Sequence, residues 1–300
     1  MNRQNRAPHT VPHTMPAQLR RSWQEVVWHG LLRAGGWLVL GLALLFTLFP
    51  IVWLVLTSLK TARDIFAVPP LWIFKPTLAN YIYSFEQNQM GLYLLNSIVV
   101  SVTAMVIGLI FGALGAYGFL RFRVPGGSLL FFLVLATRMV PHIVLIVPLF
   151  LMLQRLGILD TRFGLILVYT ALDIPLVMWI MHGFFADFPW ELEDAARIDG
   201  SSRTGFFFRV LLPLSQPGLA AVAVFTFITN WNEFIMALVL TSTQQPRTMP
   251  VALALFNTEF GVRWDYLSAA GVLLILPTML FTFLMQKYIV SGLTFGAVKS

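Results

Sequence analysis

The chain of 300 residues is 58% hydrophobic and 11% charged; a soluble globular domain carries roughly 25% charged residues, so this composition marks an integral membrane protein. A formal net charge of +7 would suit nucleic acid in a soluble protein, but here the basic residues flank apolar runs, where they set orientation and meet membrane lipid, and nucleic acid is excluded as a partner. The absence of cysteine excludes a disulfide framework and thiolate chemistry.

Residues 1–33 carry Arg3, Arg6, Arg20 and Arg21 among His, Pro, Gln and Asn. They are too polar for hydrocarbon and read as a cytoplasmic tail with a short interfacial helix around Trp23 to Trp28. The first apolar run, Ala34 to Leu59, has 26 residues and no charge. A signal-peptide core is only about 7 to 15 residues long, so this run is a retained span. Crossing the hydrocarbon takes about 20 apolar residues, and six segments qualify, at about 37–57, 94–120, 128–152, 163–184, 214–241 and 267–288. The expected fold is an all-α integral membrane protein with six transmembrane helices in one domain over 34–300 and both termini on the same side. Under that arrangement 12 basic residues lie on the side of the termini and 7 on the other, which puts the termini in the cytoplasm by the positive-inside rule.

In the second segment Gly108, Gly112 and Ala116 recur every four residues, a small-residue stripe that lets another helix approach closely. Prolines at 50, 141, 148, 175, 217 and 277 interrupt the other segments, and such breaks are tolerated where neighbours or a cavity satisfy the freed backbone groups. The outer loops, 60–93 and 242–266, are rich in Trp, Tyr, Pro and Asn, as a docking surface or an aromatic belt would be. Arg138 and Asp173 lie at similar depth in the third and fourth segments. Unpaired, each would cost at least about 2.5 to 3.5 kcal/mol; an ion pair between them is expected, with substrate contact as the alternative.

Between the fourth and fifth segments lies a charged island, 187–213. Five of the 13 acidic residues are here, Asp187, Glu191, Glu193, Asp194 and Asp199, interleaved with Arg197, Arg203 and Arg209, so it faces water. It reads as two short helices around a bend. Pro189, Glu191 and Glu193 suit the start of the first, and Gly200 closes it in the left-handed conformation. Ser201 or Ser202 caps a second helix that Pro213 is expected to end. Ala195 and Ala196 leave room for another surface to approach.

The fifth segment holds Asn230-Trp231-Asn232-Glu233, a cluster of amide, indole and carboxylate groups that matches hydroxyl-rich ligands and equally suits bonding to a neighbouring helix. His142 and His182 are too isolated to argue a metal site. No lysine stands in a P-loop, and neither a nucleophile elbow nor a zinc-binding His pair occurs. Energy must come from another subunit or from an ion gradient.

Asp194-Ala195-Ala196, three residues, Gly200, nine residues, then Val210, Leu212 and Pro213 resembles the EAA loop of ABC importer permeases, which reads Glu-Ala-Ala, three residues, Gly, nine residues, Ile-x-Leu-Pro. The departures are Asp194 for Glu and Val210 for Ile. Leu95-Asn96-Ser97, Arg138-Met139-Val140-Pro141, Phe184-Phe185, Trp231-Asn232-Glu233-Phe234 and the tail Gly292-Leu293-Thr294 with Gly296-Ala297-Val298-Lys299 are similar to the maltose-type carbohydrate permeases. This resemblance implies a type I ABC importer permease fold in a bacterial inner membrane. It implies a partnership with a second permease subunit, usually as a heterodimer, with two ATPase subunits and with an extracytoplasmic substrate-binding protein, and a sugar as cargo. Coupling to the ATPase would fall to Glu193, Asp194, Ala195, Ala196, Arg197, Asp199, Gly200 and Pro213, and the pathway to Asn230, Trp231, Asn232 and Glu233. The chain itself would bind no cofactor and catalyse nothing, with ATP and Mg on the partner subunit. The rival reading is a secondary transporter or channel that uses Arg138, Asp173 and Glu233 as an ion relay.

Overall fold

A computed structural model describes residues 23–189, 191–254, 257–258 and 261–297. Residues 1–22 of the expected cytoplasmic tail lie outside the described residues, and Trp23 to Trp28, expected as a separate short interfacial helix, are instead the first turns of a helix that continues into the first apolar run. The chain divides into two units, residues 1–53 and 54–300. The first is described as the greater part of helix α1 (Trp23–Ser58), a helix with Pro50 inside it and residues 32–50 exposed along their whole length.

The second unit begins with the end of α1 and continues through α2 (Ala62–Ile65) and α3 (Ala79–Glu86). Asn80 of α3 donates from Nδ2 to the carbonyls of Ser58 and Lys60, at 2.8 Å each, and so satisfies carbonyls that the helix end leaves free. Helix α4 (Met90–Arg121) follows, then α5 (Gly127–Ala136) with a 3-10 turn at Thr137–Met139, α6 (His142–Arg155) and α7 (Arg162–Ala186). The charged island forms α8 (Glu191–Ile198), α9 (Arg203–Phe206), a π turn at Phe207–Leu211 and α10 (Leu212–Leu214). The remainder comprises α11 (Gln216–Trp231), α12 (Ile235–Leu240), α13 (Met249–Ala254) and α14 (Trp264–Ala297). Ahead of α14, two-residue strands β1 (Asn257–Thr258) and β2 (Gly261–Val262) pair antiparallel, a detail the all-helical expectation did not include.

The packing of α4 on α7 is the centre of this unit, and the small-residue stripe makes it possible. A Cβ added at Gly108 would stand 3.0 Å from the Asp173 Cβ, at Gly112 2.5 Å from Val177, and at Gly115 3.0 Å from the Met178 sulfur. The two backbones therefore approach as closely as glycine allows. Ala113, Ala116, Tyr117, Val177, Met181 and Phe185 continue that interface into a buried cluster with Phe206, Phe207 and Leu211 of the charged island.

Among the described residues, four helices are long and apolar enough to cross a membrane: Leu32–Ser58, Met90–Arg121, Arg162–Ala186 and Trp264–Gln286. The third expected span is not one straight helix, because Gly127–Met139 and His142–Arg155 meet at 100°. Pro141 explains the break: it donates no backbone hydrogen bond and disfavours the helical conformation before it, and Val140 is extended at φ −74°, ψ 121°. The fifth is corrected once, by a break at Asn232–Phe234 that separates α11 from α12; at its start, Arg203–Leu214 of the charged island and Gln216–Trp231 meet at 78°.

Candidate functional site

The charged island is folded and attached to the helical core. Helix α8 ends as its sequence dictates: Gly200 takes φ +83°, its N–H donates to the Arg197 carbonyl at 3.0 Å, and the Ser201 N–H donates to the Ala196 carbonyl at 2.9 Å. This pair of bonds is the Schellman arrangement, which needs a residue without a Cβ penalty in the left-handed region. The Ser202 hydroxyl then caps α9 by accepting from the Gly205 N–H at 3.1 Å. Pro213 does not end the second helix. The Leu212 N–H donates back to the Phe207 carbonyl, a π-type bond that widens the turn where the proline ring would meet the preceding carbonyls, and the chain turns only at Ser215.

The acidic residues of α8 face different ways. Glu193 is 7% exposed. Tyr117 donates its hydroxyl to Glu193 Oε1 at 3.3 Å, the Arg121 Nε lies 3.3 Å from Oε2, and the Arg203 Nε lies 3.9 Å from Oε1. Arg203 also covers the Phe122 ring at 5.1 Å. Glu193 thus pins α8 to the end of α4 from within. Asp194, Ala195, Arg197, Asp199, Gly200 and Pro213 are exposed, while Ala196 is half-buried against the aromatic cluster of Phe185, Phe206 and Phe207. Ile198 is 86% exposed beside them.

The polar group in the apolar segments is arranged for structure. Arg138 and Asp173, expected as an ion pair, are not among the ion pairs of the described residues, although the guanidinium still acts on the carboxylate through space. Arg138 donates from Nη1 to the Leu172 carbonyl at 3.0 Å, and Asp173 accepts from the Asn230 Nδ2 at 2.6 Å. Trp231 is 1% exposed, stacks on Phe227 with ring centroids 5.7 Å apart and donates from Nε1 to the Leu274 carbonyl of α14 at 2.9 Å. Glu233 accepts from the backbone N–H groups of Met236 and Ala237 at 2.9 and 3.0 Å and from the Tyr169 hydroxyl at 3.0 Å. It caps α12 and explains why the fifth segment can break inside apolar surroundings. Of the four residues only Asn232 is exposed, and its Nδ2 donates to the Ile228 carbonyl one turn back at 2.8 Å.

The tyrosine partners were missed in the sequence. Tyr117 precedes Arg121 by four residues on α4, and Tyr169 precedes Asp173 by four on α7; that helical spacing puts each pair on one face and was the available cue. Two further carboxamide or carboxylate clamps hold the loops at the other end. Asn96 donates from Nδ2 to the carbonyls of Gln245 and Arg247 at 2.7 Å each, and the Ser97 Oγ accepts from the Met249 N–H at 2.7 Å. Asp160, at φ +59°, accepts from the N–H groups of Ser242 and Thr243 at 2.8 and 3.0 Å. Burial pushes the Asp160 carboxyl up, but the hydrogen bonds from Thr243 and Ser242 outweigh it and hold the group below the usual carboxylate range.

Several membrane-length helices and a charged two-helix loop between two of the apolar segments define a multi-pass membrane protein. Residues 104–295 match the family of binding-protein-dependent transport system inner membrane components, and the chain belongs to that family. It is similar to the trehalose transport system permease protein SugB of Mycobacterium tuberculosis, 36% identical over 276 residues that cover 90% of this chain and 99% of that one. The trehalose/maltose transport system permease protein MalG of Thermococcus litoralis is 37% identical over 256 residues, covering 84% and 91%. Among solved structures, a chain of a bacterial ABC transporter involved in the import of the acidic polysaccharide alginate shares the fold at a TM-score of 0.76 and 23% identity, over 89% of this chain and 98% of that chain.

Proposed function

We propose that this chain is a permease subunit of an ATP-driven, binding-protein-dependent sugar importer in a bacterial inner membrane. It forms the translocation pathway with a second permease subunit as a heterodimer, and takes its sugar from an extracytoplasmic binding protein. Its fold is then the type I permease fold, with six spans at about 37–57, 94–120, 128–152, 163–184, 214–241 and 267–288, the third and fifth of them broken, and both termini in the cytoplasm with the 187–213 loop. Two ATPase subunits hold the ATP and Mg; this chain binds no cofactor. The sugar permeases SugB and MalG, similar over most of the chain, support the cargo class.

The observation that carries the coupling role is helix α8, held rigidly at Glu193 while Asp194, Ala195, Ile198 and Asp199 remain exposed beside a left-handed Gly200. A helix fixed to the core on one side and bare on the other suits a joint with the ATPase. Intramembrane Arg138 and Asp173 then serve the packing of the core, and the pathway role narrows to Asn232 among Asn230–Glu233.

The test uses Ala195→Trp, which adds bulk to the bare face, and Gly200→Val, which a β-branched side chain makes strained at that φ. Both variants are expected to reach the membrane in normal amounts but to lose the co-purifying ATPase, or to retain it without sugar-stimulated hydrolysis. Wild-type stimulation in both would refute the role of the loop.

A further inference from the structure

The start of α4 and the segment leading into α13 enclose a cavity of about 210 Å³, at ~30 Å³ per water space for several waters or one small organic molecule. Its polar wall consists of Gln87, Asn88, Gln89, Tyr93, Gln244 and Arg247. The two sides are more than 150 residues apart in sequence, yet they are tied together. Gln89 donates from Nε2 to the Gln244 Oε1 at 2.9 Å, and Asn96 holds the Gln245 and Arg247 carbonyls from below. Gln89 itself stands at φ +52°, in the left-handed region uncommon for a residue other than glycine.

The charge of this wall is unbalanced. Arg247 is half-buried, donates from Nη2 to the Ser242 carbonyl at 3.2 Å, and takes part in none of the ion pairs among the described residues. Its Nε and the Asn88 Nδ2 are both buried without an acceptor. The nearest acid along the chain, Glu86, is exposed and not on the wall. Helix α4 begins here without a side-chain cap, which adds the positive end of its dipole. Buried donors are normally satisfied, and the guanidinium and the carboxamide N–H on the wall of one cavity both donate, the complement of a planar, acceptor-only carboxylate. The remaining amides and the Tyr93 hydroxyl can pair with hydroxyl groups.

We propose that this cavity binds a small hydroxylated carboxylic acid, with Arg247 and Asn88 holding the carboxylate. The assignment does not rest on the import reading, because binding is measured directly. Glucuronate is the probe, with glucose as its uncharged counterpart and acetate as the carboxylate without hydroxyls, titrated by calorimetry into the full-length protein in nanodiscs with the subunits that co-purify. Saturable glucuronate binding is expected, at least tenfold tighter than that of glucose or acetate. Arg247→Gln should weaken it at least tenfold and Arg247→Lys less. Asn88→Asp, at a loop position, should abolish it by placing a negative charge where the donor was, with the thermal midpoint of the variant measured alongside to show that it is folded. No saturable binding, equal binding of glucose, or affinity unchanged in Asn88→Asp would overturn the site.

Discussion

Two glutamates, 40 residues apart in sequence, are both turned into the protein and are stabilised in opposite ways. Glu193 sits in the charged island and is neutralised by cations, Arg121 at 3.3 Å and Arg203 at 3.9 Å, with a phenol alongside. Glu233 sits in an apolar segment, has no ion pair among the described residues, and is held by two backbone N–H groups and the Tyr169 hydroxyl. A carboxylate near water can recruit long basic side chains whose heads reach solvent, as the half-exposed Arg203 does. One in hydrocarbon cannot do so cheaply, and the fixed dipoles of a helix start replace the counter-ion. The first arrangement fastens a surface helix to the core, and the second permits a break inside a span.

If that contrast is right, the two sites respond differently to loss of the acid. Glu233→Ala is expected to have the largest effect, because it leaves the Met236 and Ala237 N–H groups and the Tyr169 hydroxyl without an acceptor. At about 1–3 kcal/mol for each unsatisfied group, partly recovered by relaxation, the loss should be about 4 kcal/mol. It should be read as a fall in the thermal midpoint of the detergent-solubilised protein, and Glu233→Gln, which keeps one acceptor, should recover part of it. A Glu233→Ala protein as stable as wild type would show that the break in the fifth segment needs no cap.

Glu193→Ala should cost somewhat less, about 3 kcal/mol, the low end for a buried pair deprived of one partner, because the loop borders on water. Its signature is distinct: the charge reversal Glu193→Arg with Arg121→Glu should restore stability, whereas no reversal can rescue position 233. Failure of that rescue would mean that packing, not charge, fixes α8 to α4.

The tyrosines sharpen the difference further. Tyr169→Phe removes a 3.0 Å bond to a carboxylate that has no ion-pair partner, so about 1.5–2 kcal/mol is expected. Tyr117→Phe removes a 3.3 Å bond to a carboxylate that two arginines already serve, and about 0.5 kcal/mol is expected. Equal effects in the same melting assay would show that the two glutamates are held alike.

The charged site was largely legible in the sequence and the apolar one was not. Around Glu193 the helix, its left-handed stop at Gly200 and the cap of the next helix follow from residue types that have few other uses at those positions. The inward turn of Glu193 did not, since a helix starting in water gives its acids equal reason to face out; the deciding partners, Tyr117 and Arg121, lie on a distant helix. At 230–233 composition revealed polarity but not direction. Trp231 suits a sugar face and a helix interface equally, and only the Leu274 carbonyl across the interface settles which way its N–H points. The surroundings of Arg138 and Asp173 were hidden for the same reason: each takes a hydrogen-bond partner that composition does not reveal, a backbone carbonyl for Arg138 and the Asn230 amide for Asp173.

A further carboxylate, Asp160, is held by backbone N–H groups like Glu233 but lies outside the apolar segments and is only half-buried, and it tests whether dipolar support alone sets the size of the effect. Its carboxyl titrates below the usual range because the Thr243 and Ser242 N–H bonds outweigh burial. A group whose folded value is depressed stabilises the fold above its unfolded value, about 3.9 for aspartate, and loses that contribution as pH falls through the lower, folded value. Asp160→Asn keeps an acceptor oxygen and tolerates the left-handed backbone, so at pH 7 it should cost only about 0.5 kcal/mol. The small deficit relative to wild type should stay constant from pH 7 to about 5 and close below about pH 4, where wild type becomes protonated too. Asp160→Ala, which loses the Oδ1 that accepts both N–H bonds and the tolerance for positive φ, should show a larger deficit that persists at low pH. A deficit in Asp160→Asn that grew on acidification would reverse the sign and place the support for this loop in some group other than the carboxylate.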